Sequence, residues 1–165
     1  MAAAQQHTEF ETASDHSSRR PEAVTRAVVL LGGAAFAEAS QSALTLAAGF
    51  AADTSRVGTA IAGAIVEATV CLGLLLVAVL LIRGREAGRL AAYALCGVTV
   101  WGLAGWLIAG SVALARGELG YWGELDYAQL VANFASAAAA LYATAGLATD
   151  TAVQWFVRER QGPER

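Results

Sequence analysis

Four long apolar stretches follow one another along this chain and account for most of its length. They comprise residues 27–52, 57–82, 90–115 and 127–157, and each is 26 residues or longer. A helix needs about 20 residues to cross roughly 30 Å of hydrocarbon. Lipid-exposed backbone can satisfy its hydrogen bonds only in helices or closed barrels. Because these runs are continuous and rich in Ala, Leu and Gly, they predict an all-α protein with four transmembrane helices.

Arginine is distributed unevenly between the segments that flank these stretches. Two of the eleven arginines, Arg56 and Arg116, lie in the first and third connections. The other nine precede the first stretch, occupy the second connection or follow the fourth stretch: Arg19, Arg20, Arg26, Arg83, Arg85, Arg89, Arg158, Arg160 and Arg165. Positive residues favour the cytoplasmic side of a membrane. The arginine partition therefore predicts a protein of the inner (plasma) membrane with cytoplasmic N and C termini. Because the connections are short, consecutive helices should be antiparallel neighbours in an up-down-up-down four-helix bundle.

The chain divides into three regions by polarity. Residues 1–20 are polar without an apolar period, which predicts a disordered cytoplasmic tail. Residues 21–157 form the predicted four-helix membrane domain, and residues 158–165 a basic cytoplasmic tail. An alternative is a secretory signal peptide cleaved after Ala37, because Arg19-Arg20 precede an apolar run that contains the A-x-A pattern at 35–37. The continuation of that run to residue 52 favours a membrane span.

The composition agrees with a membrane protein and argues against nucleic-acid binding. The mean hydropathy is +0.49, and 15% of residues are charged, against about 25% in a typical soluble domain. The arginine clusters are small and adjoin the predicted spans, so no extended basic surface exists. We expect the partners to be the lipid bilayer and anionic headgroups at the cytoplasmic face, contacted by Arg83, Arg85 and Arg89.

Histidine and the common catalytic and metal-binding motifs are missing from the apolar stretches. Both histidines, His7 and His16, lie in the polar tail, so imidazole ligands for haem or metals are absent from the predicted spans. The sequence contains neither a Cys-x-x-Cys pair nor a glycine-rich phosphate loop. Cys71 and Cys96 are expected to be free, buried thiols. We therefore expect no enzymatic activity, metal or cofactor.

Two glutamates interrupt the first two apolar stretches. Glu38 lies eleven residues from the start of the first stretch, and Glu67 lies ten residues from the start of the second. At 1.5 Å per residue each is roughly 15–17 Å deep, near the bilayer midplane. Since the two predicted helices are antiparallel neighbours, the carboxyls could face each other. Charge is costly at this depth, so we expect one protonated carboxyl or a shared proton.

Polar residues around these glutamates recur at helical spacing. Three stripes of polar or small residues are predicted to converge, and they contain Glu38, Gln41, Ser42 and Thr45; Gly63, Glu67 and Cys71; and Gln129, Asn133, Ser136, Ala140, Thr144 and Thr151. The primary candidate site comprises Glu38, Glu67, Gln41 and Asn133, with Ser42, Thr45 and Asp150 as secondary members. If the three stripes meet between the helices, they form either a hydrogen-bonded core or a narrow hydrated cavity.

Two functions fit this candidate site. In the first, neutral carboxyls fix the helix register of a protein with an accessory or interaction role. In the second, Glu38 and Glu67 relay protons or cations in a small proton-coupled transporter or channel, the default hypothesis for intramembrane acids. Small residues at 135, 139 and 143 favour close helix packing. They permit a homodimer or a membrane-complex partner.

Two resemblances accompany these residues. The chain resembles a broad set of bacterial four-helix integral membrane proteins of unknown function, and this resemblance implies a topology and no activity. It is carried by two segments, Arg20-Pro21-Glu22-Ala23-Val24-Thr25-Arg26-Ala27 and Arg83-Gly84-Arg85-Glu86-Ala87-Gly88-Arg89. The segment Leu31-Gly32-Gly33-Ala34-Ala35-Phe36-Ala37-Glu38 is similar to the first helix of small multidrug resistance transporters. That resemblance implies that Glu38 binds substrate and proton competitively in a dimer.

Overall fold

The computed structural model describes residues 20–51, 57–117 and 123–161, and these residues are almost entirely helical. They form five helices: α1 (Glu22–Ala51), α2 (Val57–Ile82), α3 (Glu86–Ala115), α4 (Glu124–Leu147) and α5 (Asp150–Gln161). The first four are long and apolar enough to cross a membrane. The all-α prediction with four apolar helices is confirmed. Apart from residue 20, the predicted disordered tail lies outside the described residues, as do residues 162–165.

A glycine turn joins α2 to α3. Gly84 has a φ of +67°, in the left-handed region that favours glycine. Its amide donates to the carbonyl of Leu81 at 3.0 Å, and the Arg85 amide donates to the carbonyl of Leu80 at 3.0 Å. These two bonds form a Schellman motif, which satisfies the last carbonyls of a helix. The turn therefore ends α2 and lets α3 begin at Glu86.

The fourth apolar stretch contains two helices, whereas the sequence predicted one span over 127–157. α4 ends at Leu147, and α5 begins at Asp150. Between them, the Thr149 hydroxyl donates to the carbonyl of Gly146 at 2.8 Å, and the Thr149 carbonyl accepts from the Val153 amide at 3.0 Å. Thr and Asp side chains compete with helical backbone bonds and favour helix ends. The break therefore follows from local hydrogen bonding within an apolar run.

The four long helices surround a central space. α1 packs against α2 and α4, and α3 packs against the same two helices, whereas neither α1 and α3 nor α2 and α4 approach each other closely. Side-chain bonds fix the pairing of α1 with α2. Arg20 donates to the carbonyl of Ile82 at 2.8 Å, and Ser42 donates to the carbonyl of Ala64 at 3.0 Å. The beginning of α1 therefore lies beside the end of α2.

The interior has an apolar half and a polar half. The apolar cluster lies near the α2–α3 turn and α5, and it contains Val24, Ala27, Leu31, Ala34, Ala35, Leu74, Val77, Ala78, Leu81, Ala92, Ala143, Leu147, Ala152 and Phe156. Buried polar side chains concentrate in the other half, among them Glu38, Gln41 and Gln129. Outward-facing side chains are strongly apolar, as Trp101 (81% exposed) illustrates. Such a surface agrees with lipid rather than water around the helices.

Candidate acidic site between the long helices

Glu38 occupies the interior face of α1 and is bonded to α4. Its side chain is almost completely buried, at 6% exposure. The carboxyl Oε1 accepts a hydrogen bond from the Ser136 hydroxyl at 2.6 Å, and Ser136 is itself fully buried. A buried carboxyl requires such a partner because its desolvation is otherwise uncompensated. This bond therefore ties the position of Glu38 to α4.

Glu67 is connected to both α1 and α4 through a chain of hydrogen bonds. Its Oε1 accepts from the Thr45 hydroxyl at 2.9 Å. The Thr45 oxygen in turn accepts from Nε2 of Gln129 at 3.0 Å. The Gln41 side chain also lies beside the Glu67 carboxyl. Polar groups of α1 and α4 thus surround one half-buried glutamate of α2.

Two oxygens in this group are buried without a hydrogen-bond partner. They are Oε2 of Glu67 and Oε1 of Gln41. An ionised carboxylate and an amide oxygen are both acceptors, so neither can satisfy the other. A proton on Glu67, a bound cation or a water molecule would each give these oxygens a partner.

Glu38 and Glu67 line one cavity of about 300 Å³, which we name the acidic cavity. Its other lining residues are Gln41, Gly63, Val66, Val70, Val98, Thr99, Gly102, Trp106 and Asn133. The sequence predicted the two glutamates at similar depth, and both line this cavity in the structure.

A second cavity of about 560 Å³ adjoins the acidic cavity, and we name it the terminal cavity. Both cavities are lined by Gly63, Glu67 and Trp106. The remaining lining residues of the terminal cavity are Thr45, Ala48, Gly49, Thr59, Ala60 and Gln129. Glu67 and Trp106 therefore stand where the two cavities meet.

Four α3 residues that line the acidic cavity were absent from the candidate site predicted by sequence: Val98, Thr99, Gly102 and Trp106. Thr99 is 4% exposed, and Trp106 is half-buried. α3 has an apolar sequence in which no acid marks an inward face. The spacing of Thr99, Gly102 and Trp106 at i, i+3 and i+7 was the available signal, since residues so spaced share one helix face.

The remaining predicted site residues, Asn133, Ser42 and Asp150, do not bond to either carboxyl. Asn133 is buried and lines the acidic cavity, but its Nδ2 donates to the carbonyl of Gln129 on its own helix at 3.0 Å. Ser42 is half-buried and donates to a backbone carbonyl of α2 rather than to either carboxyl. Asp150 is exposed at the start of α5 and lines neither cavity.

The three arginines predicted to meet headgroups are not equivalent. Arg83 and Arg85 are exposed in the turn between α2 and α3. The Arg89 side chain is only 16% exposed and forms an ion pair with Glu86 at 3.4 Å. Glu86 also pairs with Arg160 of α5 at 3.2 Å. Arg83 and Arg85 are therefore more accessible than Arg89, and Glu86 links Arg160 of α5 to the beginning of α3.

Within the described helices and turns, no group of three or more His, Cys, Asp or Glu side chains is placed to hold a metal ion. Cys71 and Cys96 are both free thiols. Comparison of the chain with protein-family models, curated proteins and solved structures finds no match in any of the three.

Proposed function

We propose that this chain is a membrane protein that exchanges protons or a small cation at Glu38 and Glu67, as a small proton-coupled transporter or channel. The observation that carries the proposal is the acidic cavity, which both carboxyls line. A core held together by neutral carboxyls would be closely packed. Here, a cavity of about 300 Å³ lies beside both carboxyls.

The proposed topology is an up-down-up-down arrangement in the plasma membrane, with both termini in the cytoplasm. Nine of the eleven arginines support this orientation. It places Glu38 and Glu67 near the bilayer midplane, where ionisable residues are costly and generally functional. In this orientation Arg83 and Arg85 meet anionic headgroups. The proposal involves neither enzyme chemistry nor a cofactor.

An accessory or interaction role is the second candidate, and the hydrogen bonds among helices favour it. The Ser136–Glu38 bond joins α4 to α1, and the Thr45–Glu67 bond joins α1 to α2. Such bonds can fix helix positions without any transport. In that case a homodimer or another membrane protein would use the outer faces of the helices.

Proton flux in proteoliposomes separates the two functions. The purified full-length chain is reconstituted, a pH gradient is imposed, and its decay is followed with an internal fluorescent dye. We expect wild-type protein to accelerate decay, and Glu38→Gln and Glu67→Gln to abolish that acceleration. Glu124→Gln is the matched control, because Glu124 is exposed at the start of α4.

The proposal fails if wild-type protein leaves the gradient unchanged while the two glutamine variants alter only thermal unfolding. That result would support the accessory role. Equal loss of flux in Glu124→Gln would instead show that the effect does not depend on the acidic cavity.

Cysteine labelling tests the topology independently of flux. Ala87→Cys and Arg116→Cys are introduced singly into a chain carrying Cys71→Ala and Cys96→Ala, since both sites are exposed at opposite ends of α3. A membrane-impermeant thiol reagent added to intact cells should label position 116. Position 87 should be labelled only after permeabilisation. The reverse pattern would show that the orientation is inverted.

A further inference from the structure

We propose that the acidic site is a one-ended vestibule, which cations enter past Glu67 from the end of the bundle where α1 ends and α2 begins, and in which Glu38 is the innermost group. The inference rests on the proposed function for its ligand, a proton or small monovalent cation. Access to the site can nevertheless be measured without any flux.

The terminal cavity lies near one end of the described helices. Its lining residues Ala48 and Gly49 lie within three residues of the end of α1 at Ala51. Thr59 and Ala60 lie within three residues of the start of α2 at Val57. A solute that reaches this end of the described helices therefore meets the terminal cavity before any other part of the site.

Glu67 is the first carboxyl on this route. It lines both cavities, whereas Glu38 lines only the acidic cavity. Thr45 and Gln129, which also line the terminal cavity, supply polar atoms beside Glu67. Trp106 forms a further wall of both cavities. The residues along the route thus favour positive over negative solutes.

The apolar cluster closes the route beyond Glu38. Four of its large side chains, Leu31, Leu74, Leu81 and Phe156, are less than 2% exposed. A cation entering this region would lose its hydration without gaining polar partners, which is prohibitive for an unpaired charge. In the proposed orientation, cations therefore arrive from outside the cell and reach no further than the acidic cavity.

Labelling by thiol reagents tests the one-ended access. Single cysteines are placed at Ala48 in the terminal cavity and at Ala27 in the apolar cluster, in the chain lacking Cys71 and Cys96. Both are alanines near opposite ends of α1. A small water-soluble reagent applied to detergent-solubilised protein should modify Ala48→Cys and leave Ala27→Cys unmodified. Equal modification of both, or none at position 48, would overturn the proposal.

Charge selectivity at a deeper position tests the role of Glu67. Thr99→Cys, in the acidic cavity, should react at least about tenfold faster with a cationic thiol reagent than with an anionic one of similar size, a typical effect of a cleft of one charge. Adding Glu67→Gln should bring the two rates close together. If the cationic reagent reacts with Thr99→Cys by the same factor faster in the presence and absence of Glu67→Gln, Glu67 does not lie on the route.

A measurement on the wild-type chain guards against variants that fail to fold. A cationic, water-soluble carbodiimide is added to one side of oriented proteoliposomes, and modified carboxyls are located by mass spectrometry. We expect Glu67 to be modified from the side bearing the end of α1, and from that side only. Modification from both sides would contradict one-ended access, whereas failure of the flux assay alone would contradict only the proposed function.

Discussion

Replacing Gly49 with alanine should push α1 and α2 apart beside the terminal cavity. A Cβ on Gly49 would overlap the Cβ of Ala60, so one backbone must shift. Overpacking costs about 1–3 kcal/mol, while alanine is favoured over glycine within a helix by about 1 kcal/mol. Gly33→Ala in the same helix is the control, because its Cβ meets open space. The difference in unfolding free energy between the two variants isolates the overlap, at about 1–3 kcal/mol.

Titration with sodium dodecyl sulfate in a mild detergent measures this difference through the unfolding midpoint. We expect Gly49→Ala to unfold at a lower fraction of the denaturing detergent than Gly33→Ala, with the wild type between or close to the control. The reasoning is refuted if the two alanine variants unfold together. That result would mean that α1 and α2 are not in contact at Gly49.

Two further substitutions probe the polar and apolar halves of the interior. Ser136→Ala removes the donor to Glu38 and should cost about 1–3 kcal/mol, whereas Ser111→Ala, exposed and bonded only within its own helix, should change stability by less than about 0.5 kcal/mol. The same detergent titration compares the two serine variants, and equal unfolding midpoints would show that the Ser136–Glu38 bond does not stabilise the protein. Phe156→Ala should cost about 3–5 kcal/mol because its ring is 1% exposed. Val157→Ala, at 44% exposure, is its control, and a similar loss in both would place Phe156 outside the core.

The helices were predictable from the sequence because each long apolar run has one dominant physical solution in lipid. The break after α4 was not, since Thr149 and Asp150 lie within a stretch whose average hydropathy still indicates a span. Hydropathy averages over many residues, whereas the Thr149–Gly146 bond is a local event. The position of α5 against the α2–α3 turn likewise depends on long-range contacts between Glu86 and Arg160.

The candidate site was predictable in its acids and less so in its partners. Equal depth on neighbouring helices was enough to bring Glu38 and Glu67 to one cavity. Which side chain donates to each carboxyl depends on the rotation of each helix about its own axis, and the spacing of polar residues does not determine that rotation. Thus Ser136 rather than Asn133 bonds to Glu38. The contribution of Trp106 went unpredicted because an aromatic residue in an apolar helix faces lipid as readily as a cavity.

The claim that Glu38 and Glu67 form one exchanging site is tested most directly by infrared difference spectroscopy of the reconstituted chain. Spectra in acidic and alkaline buffer are subtracted, and the carbonyl band of protonated carboxyls buried in the membrane is compared among variants. We predict a reversible band that changes in Glu38→Gln and in Glu67→Gln and is lost in the double variant. A band that does not change with buffer pH, or that is still present in the double variant, would contradict the account.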